Sequence, residues 1–141
     1  KAKLNNIFKE KQKITNNLIK KKILYSGKTY KLLKLLNEKG YTICVASNAI
    51  KSTVNSCLKI LKIKKFIKYV LTNNDIKKPK PHPEMYLKLF LSLELSPKEI
   101  LIIEDSYYGL KAARESGANV FQLNNSKELS YKELTNYIKI Y

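Results

Sequence analysis

"LIIEDSYYGLKAARESGA", residues 101–118, is the stretch on which the reading of this 141-residue chain turns. Strand-forming residues, Leu101 to Ile103, run straight into two adjacent carboxylates, Glu104 and Asp105. Ser106, two tyrosines and Gly109 follow, and then a helix-like segment that stops at Gly117. The chain has only 11 acidic residues against 28 lysines and arginines, so an acid pair at the end of an apolar strand needs a reason. Burying both carboxylates unpaired would cost several kcal/mol. A hard divalent cation removes that cost, because Mg2+ takes one or two carboxylates together with waters and phosphate oxygens. These residues taken alone equally allow Asp105 to cap the helix from 107 while Glu104 stays in water.

Working outward, other short apolar strands alternate with helical patterns. "YTICVA" (41–46) ends in Ser47-Asn48, where Asn48 is a natural N-cap for a helix carrying Ile50, Val54, Cys57, Leu58 and Leu61. "FIKYVL" (66–71) leads into the loop "TNNDIKKPKPHP", kept extended by its prolines. Pro83 suits the first turn of a helix with Tyr86, Leu87, Phe90 and Leu93. Ser96 and Glu99 form a capping-box pattern before the strand at 100–103, and "NVFQL" (119–123) is a further strand. Ser26-Gly27 opens a helix through about Glu38, and Ser130 to Glu133 opens a C-terminal one. Nearly all-apolar strands between helices predict an α/β fold, a parallel sheet with helices on both faces.

In such sheets ligands sit beyond the carboxyl ends of the strands. That rule selects Ser47-Asn48, the 72–82 loop and Glu104-Asp105. Ser47 and Asn48 offer a hydroxyl, an amide and helix N-terminal N–H groups to a phosphate, although both residues are also ordinary caps. Lys78, in "KKPKP", is a cation held between prolines where it can clamp a phosphoryl group. Alone it is one lysine among many.

Taken together, in order and at successive strand ends, these residues resemble the haloacid dehalogenase superfamily of phosphatases. The likeness is greatest to the branch holding phosphoglycolate phosphatase and β-phosphoglucomutase, and runs from about Leu24 to Leu123. The resemblance implies a Rossmann-type core and Mg2+-dependent hydrolysis of a small phosphorylated substrate. Ser47 would hold the transferring phosphoryl group, and Lys78, as the lysine of K-P-x-P, would neutralise it. Glu104 and Asp105 would hold Mg2+. Gly109 and Gly117 match the family's small positions, where the helix packs closely and then ends.

One family motif, D-x-D-x-[TV] after an N-terminal strand, is not found. The acids before Ser47 are Glu10 and Glu38, both in lysine-flanked helical contexts. Asp75 lies in the lysine loop. The expectation is therefore a core lacking its first strand, which would lie between the strands ending at Ser47 and Asp105. Residues 1–24 would be a helical remnant of a cap or linker, and 25–141 a partial core. The chain begins with Lys1, so the economical expectation is a C-terminal fragment of a longer protein, inactive and marginally stable by itself. Two competing readings are a pseudo-phosphatase acting as a binding module and a basic nucleic-acid module.

Composition bears on the second. The net charge of +17 suggests an acidic polymer, but Arg114 is the only arginine and the lysines are scattered. A/T-rich codons would also produce this Lys, Asn, Ile and Tyr content. Nucleic acid is set aside on that ground. No apolar run is long enough for a bilayer, and Cys44 and Cys57 form no C-x-x-C pair, so a reduced, cytoplasmic protein is the simplest reading. "SGKT" (26–29) lacks the glycine and leading strand of a P-loop. His82 is read as a loop residue, and Tyr107 and Tyr108 as packing over the acids.

Overall fold

The computed structural model describes residues 2–124 and 129–138. Its elements in order are α1 (Ala2–Lys22), α2 (Gly27–Glu38), β1 (Ile43–Ala46), α3 (Lys51–Ile60), β2 (Ile67–Leu71), α4 (Glu84–Leu93), β3 (Leu101–Glu104), α5 (Tyr107–Glu115), β4 (Asn119–Gln122) and α6 (Tyr131–Ile138). Several expected caps form. Ser26 accepts the Thr29 backbone N–H, while α5 is capped by Ser106, which accepts the Gly109 N–H, and not by Asp105. Ser96 and Glu99 close a reciprocal capping box, and at the start of α6 the Ser130 hydroxyl donates to the Glu133 carboxylate and accepts the Glu133 amide. Residues 2–22 form one helix, docked on α3 where Gln12 Nε2 donates to Thr53 Oγ1 at 2.7 Å.

Asn48 departs from expectation. It does not cap α3, which starts after Ile50 without a side-chain cap. The Lys51 amide instead donates to Asn74 Oδ1 from the neighbouring loop, at 2.9 Å.

The strands form two parallel pairs, β1 with β2 and β3 with β4. Side chains alternate between the faces. Cys44, Ala46 and Ile102 join Tyr86, Leu89, Phe90, Ala112 and Ala113 in one cluster under α4 and α5, which spans both pairs. Ile43, Leu101 and Phe121 pack on the other face with Leu32, Leu36 and Leu134. Val45 and Val70 pack there with Val54 and Leu58 of α3.

Between β1 and β3 lies a cleft of about 570 Å³, walled by Thr42–Cys44 and Ala46 on one side and Ile100–Glu104 on the other. The backbone bonding shows which groups face it. Ser47 N–H donates to Leu71, so the odd residues of β1 bond β2 and those of Cys44 and Ala46 point away from it. Asn119 and Leu123 donate to Ile100 and Glu104, so on β3 the backbone groups of Leu101 and Ile103 point away from β4. Among the described residues no other strand pairs with either wall of the cleft, and apolar side chains lie above and below it. The described strands thus leave an open position between β1 and β3.

Candidate active site

The carboxyl ends of β1 and β3 are tied together by one side chain, that of Lys80. Its ammonium donates to Glu104 Oε2 at 2.7 Å and to the Ala46 carbonyl at 3.1 Å. It also lies 4.8 Å from the centre of the Tyr86 ring. The pair is withdrawn from water, with side-chain exposures of 7% for Lys80 and 11% for Glu104. Both walls of the cleft therefore end at the same charged point, which fixes β1 and β3 as running in the same direction.

Glu104 is held on both oxygens. Oε2 accepts from Lys80 and from the Tyr86 hydroxyl at 3.0 Å. Oε1 accepts from the amides of Asp105 and Ser106 and from the Ser106 hydroxyl. Burial works to raise its carboxyl, but the Lys80 ammonium and the Ser106 donors outweigh it and hold the group at about 2. The Tyr86 hydroxyl is pushed the other way, first by burial and then by the adjacent carboxylate. Gly109 is what lets α5 approach. A Cβ there would overlap the Glu104 carboxyl group.

The lysine at this point is Lys80, and Lys78 is not brought to it. Lys78 is exposed, and its amide donates to Glu84 Oε2 at 2.8 Å. The sequence explains the displacement, because K-P-x-P occurs twice in overlapping frames, at Lys78–Pro81 and at Lys80–Pro83. Only the second runs directly into α4, and the Glu84 carboxylate that follows fastens the first frame's backbone by accepting from both Lys77 and Lys78. Those two amides and the Lys88 ammonium hold Glu84 at about 2. The helix start at Pro83-Glu84 was the signal in the sequence that favours the second frame.

Ser47 sits just past the end of β1, one residue beyond the carbonyl that Lys80 holds. Its Oγ accepts from the Ala49 amide at 3.2 Å. Asn48 does not offer its amide freely to a ligand as expected, because both polar atoms bond the backbone of Lys80. Asp105 is exposed, and among the described residues its carboxylate makes no hydrogen bond or ion pair. It does not cap α5, a role taken by Ser106. Tyr107 and Tyr108 do not cover the acids but stand in solvent, 77% and 61% exposed, edge to face with each other. His82 is exposed and accepts the Glu84 amide on Nδ1. Asp75 stays local, bonded by the buried Thr72 hydroxyl at 2.6 Å.

The donor set can be tested against a divalent cation. No group of three or more His, Cys, Asp or Glu gathers among the described residues. A hard cation needs one or two carboxylates and fills the rest of its shell with water and substrate oxygens. Asp105 fits that requirement as it stands. Glu104 fits only by giving up donors it already has.

A parallel α/β frame with hydroxyl, buried lysine and acid at neighbouring strand ends defines a class. The chain belongs to the haloacid dehalogenase-like hydrolases, whose family model matches residues 1–123. Among relatives, it is 34% identical over 88 residues to the pyrophosphatase PpaX of Anoxybacillus flavithermus, covering 62% of this chain and 41% of that protein. Among solved structures, the putative beta-phosphoglucomutase of Thermotoga maritima superposes with a TM-score of 0.67 at 22% identity, over 78% of this chain and 51% of that one. A haloacid dehalogenase-superfamily hydrolase of Geobacter sulfurreducens gives 0.66 at 25% identity, over 74% and 53%. The chain thus spans about two-fifths of the length of the curated relatives it matches.

No helix among the described residues is long and apolar enough to cross a membrane.

Proposed function

We propose that these residues are the phosphate-handling half of a Mg2+-dependent hydrolase of small phosphate esters or pyrophosphate. The observation that carries the reading is the desolvated Lys80 ammonium, shared by the ends of β1 and β3 beside Ser47. A cation held there costs nothing to reorganise when a phosphoryl group arrives, and in a dry site it acts more strongly than in water. In this reading Lys80 replaces Lys78 as the phosphate clamp, and Ser47 Oγ holds a phosphoryl oxygen. Asp105 is the residue that would hold Mg2+, which supplies positive charge to the phosphoryl oxygens when bound. Glu104 serves chiefly to fix Lys80.

The nucleophile would be an aspartate outside these 141 residues, carried at the carboxyl end of an apolar strand seated between β1 and β3. Its oxygen attacks phosphorus as the bond to the leaving oxygen breaks, and the leaving oxygen takes a proton. Water then opens the phospho-aspartate and releases inorganic phosphate. The outward backbone groups of Cys44, Leu101 and Ile103 and the Ala46 amide, whose carbonyl already accepts from Lys80, support such a strand, because each would gain a ladder partner. Residues 1–24 would belong to the end of a cap.

The test is phosphate release from small phosphomonoesters and pyrophosphate by the full-length polypeptide, with and without Mg2+. Turnover that needs Mg2+, with Asp105→Asn raising the Mg2+ concentration required at least about tenfold, fits the reading. Phosphate and Mg2+ binding without turnover would replace it with the binding-module reading.

A further inference from the structure

We propose that Asn48 is the positioning residue for Lys80, acting on the backbone of the lysine and not on the phosphate; the proposal rests on the phosphatase reading of the site. Asn48 Oδ1 accepts the Lys80 N–H at 3.1 Å, and Asn48 Nδ2 donates to the Lys80 carbonyl at 3.2 Å. The two bonds define the amide's orientation, since an N–H can only donate and a carbonyl can only accept. They reach across 32 positions in sequence, from the segment after β1 to the middle of the proline loop.

The bonds close a ring. Asn48 stands two residues after Ala46, whose carbonyl receives the Lys80 ammonium. Lys80 is therefore gripped at its backbone and at its tip by one short segment, and Ser47 lies between the two grips. Hydroxyl and ammonium, the two groups proposed to meet the phosphate, are thereby set relative to each other and not merely near each other. Few side chains can make this clasp. It needs a donor and an acceptor side by side on one amide carbon, which Asn and Gln carry. Gln would place that head one methylene too far out. Ser or Ala lacks the fork altogether.

A residue that acts through Lys80 leaves two separable marks. The first is structural and needs no activity. In the 141-residue chain the Lys80 amide proton should exchange at least about tenfold faster in Asn48→Ala than in wild type, as one lost hydrogen bond requires. The Ala113 and Leu134 amides, deep in the packed helices, serve as controls for global opening. Unchanged exchange at Lys80 would overturn the proposal. Should Asn48→Ala not fold, Asn48→Ser keeps a polar group without the fork and is read the same way.

The second mark is kinetic, in the full-length polypeptide with pyrophosphate or p-nitrophenyl phosphate. Asn48→Ala should lower kcat/KM by about 100-fold, the scale of a misplacement near 1 Å. In a Lys80→Gln background the same change should cost less than about threefold, because its target is gone. Costs that multiply would mean that Asn48 meets the phosphate itself, and would overturn the proposal. A wild-type protein without turnover would sink the phosphatase reading and this kinetic role with it, while the exchange result would stand by itself.

Discussion

Replacing Lys80 by Met should destabilise the chain far more than replacing Lys78, two positions earlier. The magnitude follows from what each side chain does. Lys80 gives two charge-assisted hydrogen bonds, to Glu104 and Ala46, and both ends of its ion pair are nearly closed to water. Removing one partner of such a pair leaves the other charge buried, at about 3–5 kcal/mol. Glu104 keeps its bonds from Tyr86, Asp105 and Ser106, which places the expected loss toward the lower end, about 3 kcal/mol. Lys78 is exposed and contributes a backbone bond that Met retains, so its loss should stay within about 0.5 kcal/mol. The assay is urea unfolding of the 141-residue chain followed by circular dichroism at pH 7. In a chain less stable than about 3 kcal/mol, Lys80→Met simply does not fold while Lys78→Met does. Equal losses from the two substitutions, or a larger one from Lys78, would refute the placement of the lysine.

Glu104 should titrate near 2 and not near its ordinary 4.5, followed by the carboxyl carbon resonance. A lowered carboxylate stabilises the fold above its unfolded pKa, so this contribution, up to about 3 kcal/mol, is complete above pH 4.5 and lost as pH falls toward 2. A midpoint above 4 would contradict the pairing with Lys80. Gly109→Ala should lower stability by about 1–2 kcal/mol, because the methyl group must displace the Glu104 carboxyl and that outweighs the gain in helix propensity. An unfolding midpoint that rises instead would mean that α5 stands clear of Glu104. The 141-residue chain alone should release no phosphate from any ester in Mg2+, and measurable turnover would remove the need for an outside nucleophile.

Much of the frame was legible because strands and caps are written locally. "ICVA" and "LIIE" are short, apolar and bounded by turn residues, and Ser26, Ser96 and Ser130 announce helix starts. The open position between β1 and β3 was expected from chain order and from the lack of a D-x-D-x-[TV] strand end ahead of Ser47. What was not legible is anything decided by long-range geometry. Lys78 and Lys80 share the same motif, and only the reach from the loop to Ala46 and Glu104 separates them. Asn48 is an excellent cap by type, but a competing acceptor from Asn74, 23 positions away from Lys51, leaves it free to hold Lys80. Glu104 read as a cation ligand because twin acids do, whereas a lysine, a tyrosine and three donors from the next two residues already satisfy it. Sequence spacing names the groups at a strand end; it does not say which of them bond each other first.

The central claim is that the buried Lys80 at the head of the cleft does phosphoryl chemistry. The most direct test compares Mg2+-dependent phosphate release by the full-length polypeptide in wild type, Lys80→Met and Lys78→Met, with pyrophosphate and a sugar phosphate as substrates. The expected result is turnover in wild type and in Lys78→Met, and a loss of at least about 1,000-fold in Lys80→Met, the scale of a lost transition-state cation. Turnover that survives in folded Lys80→Met, or that disappears with Lys78→Met, would contradict it.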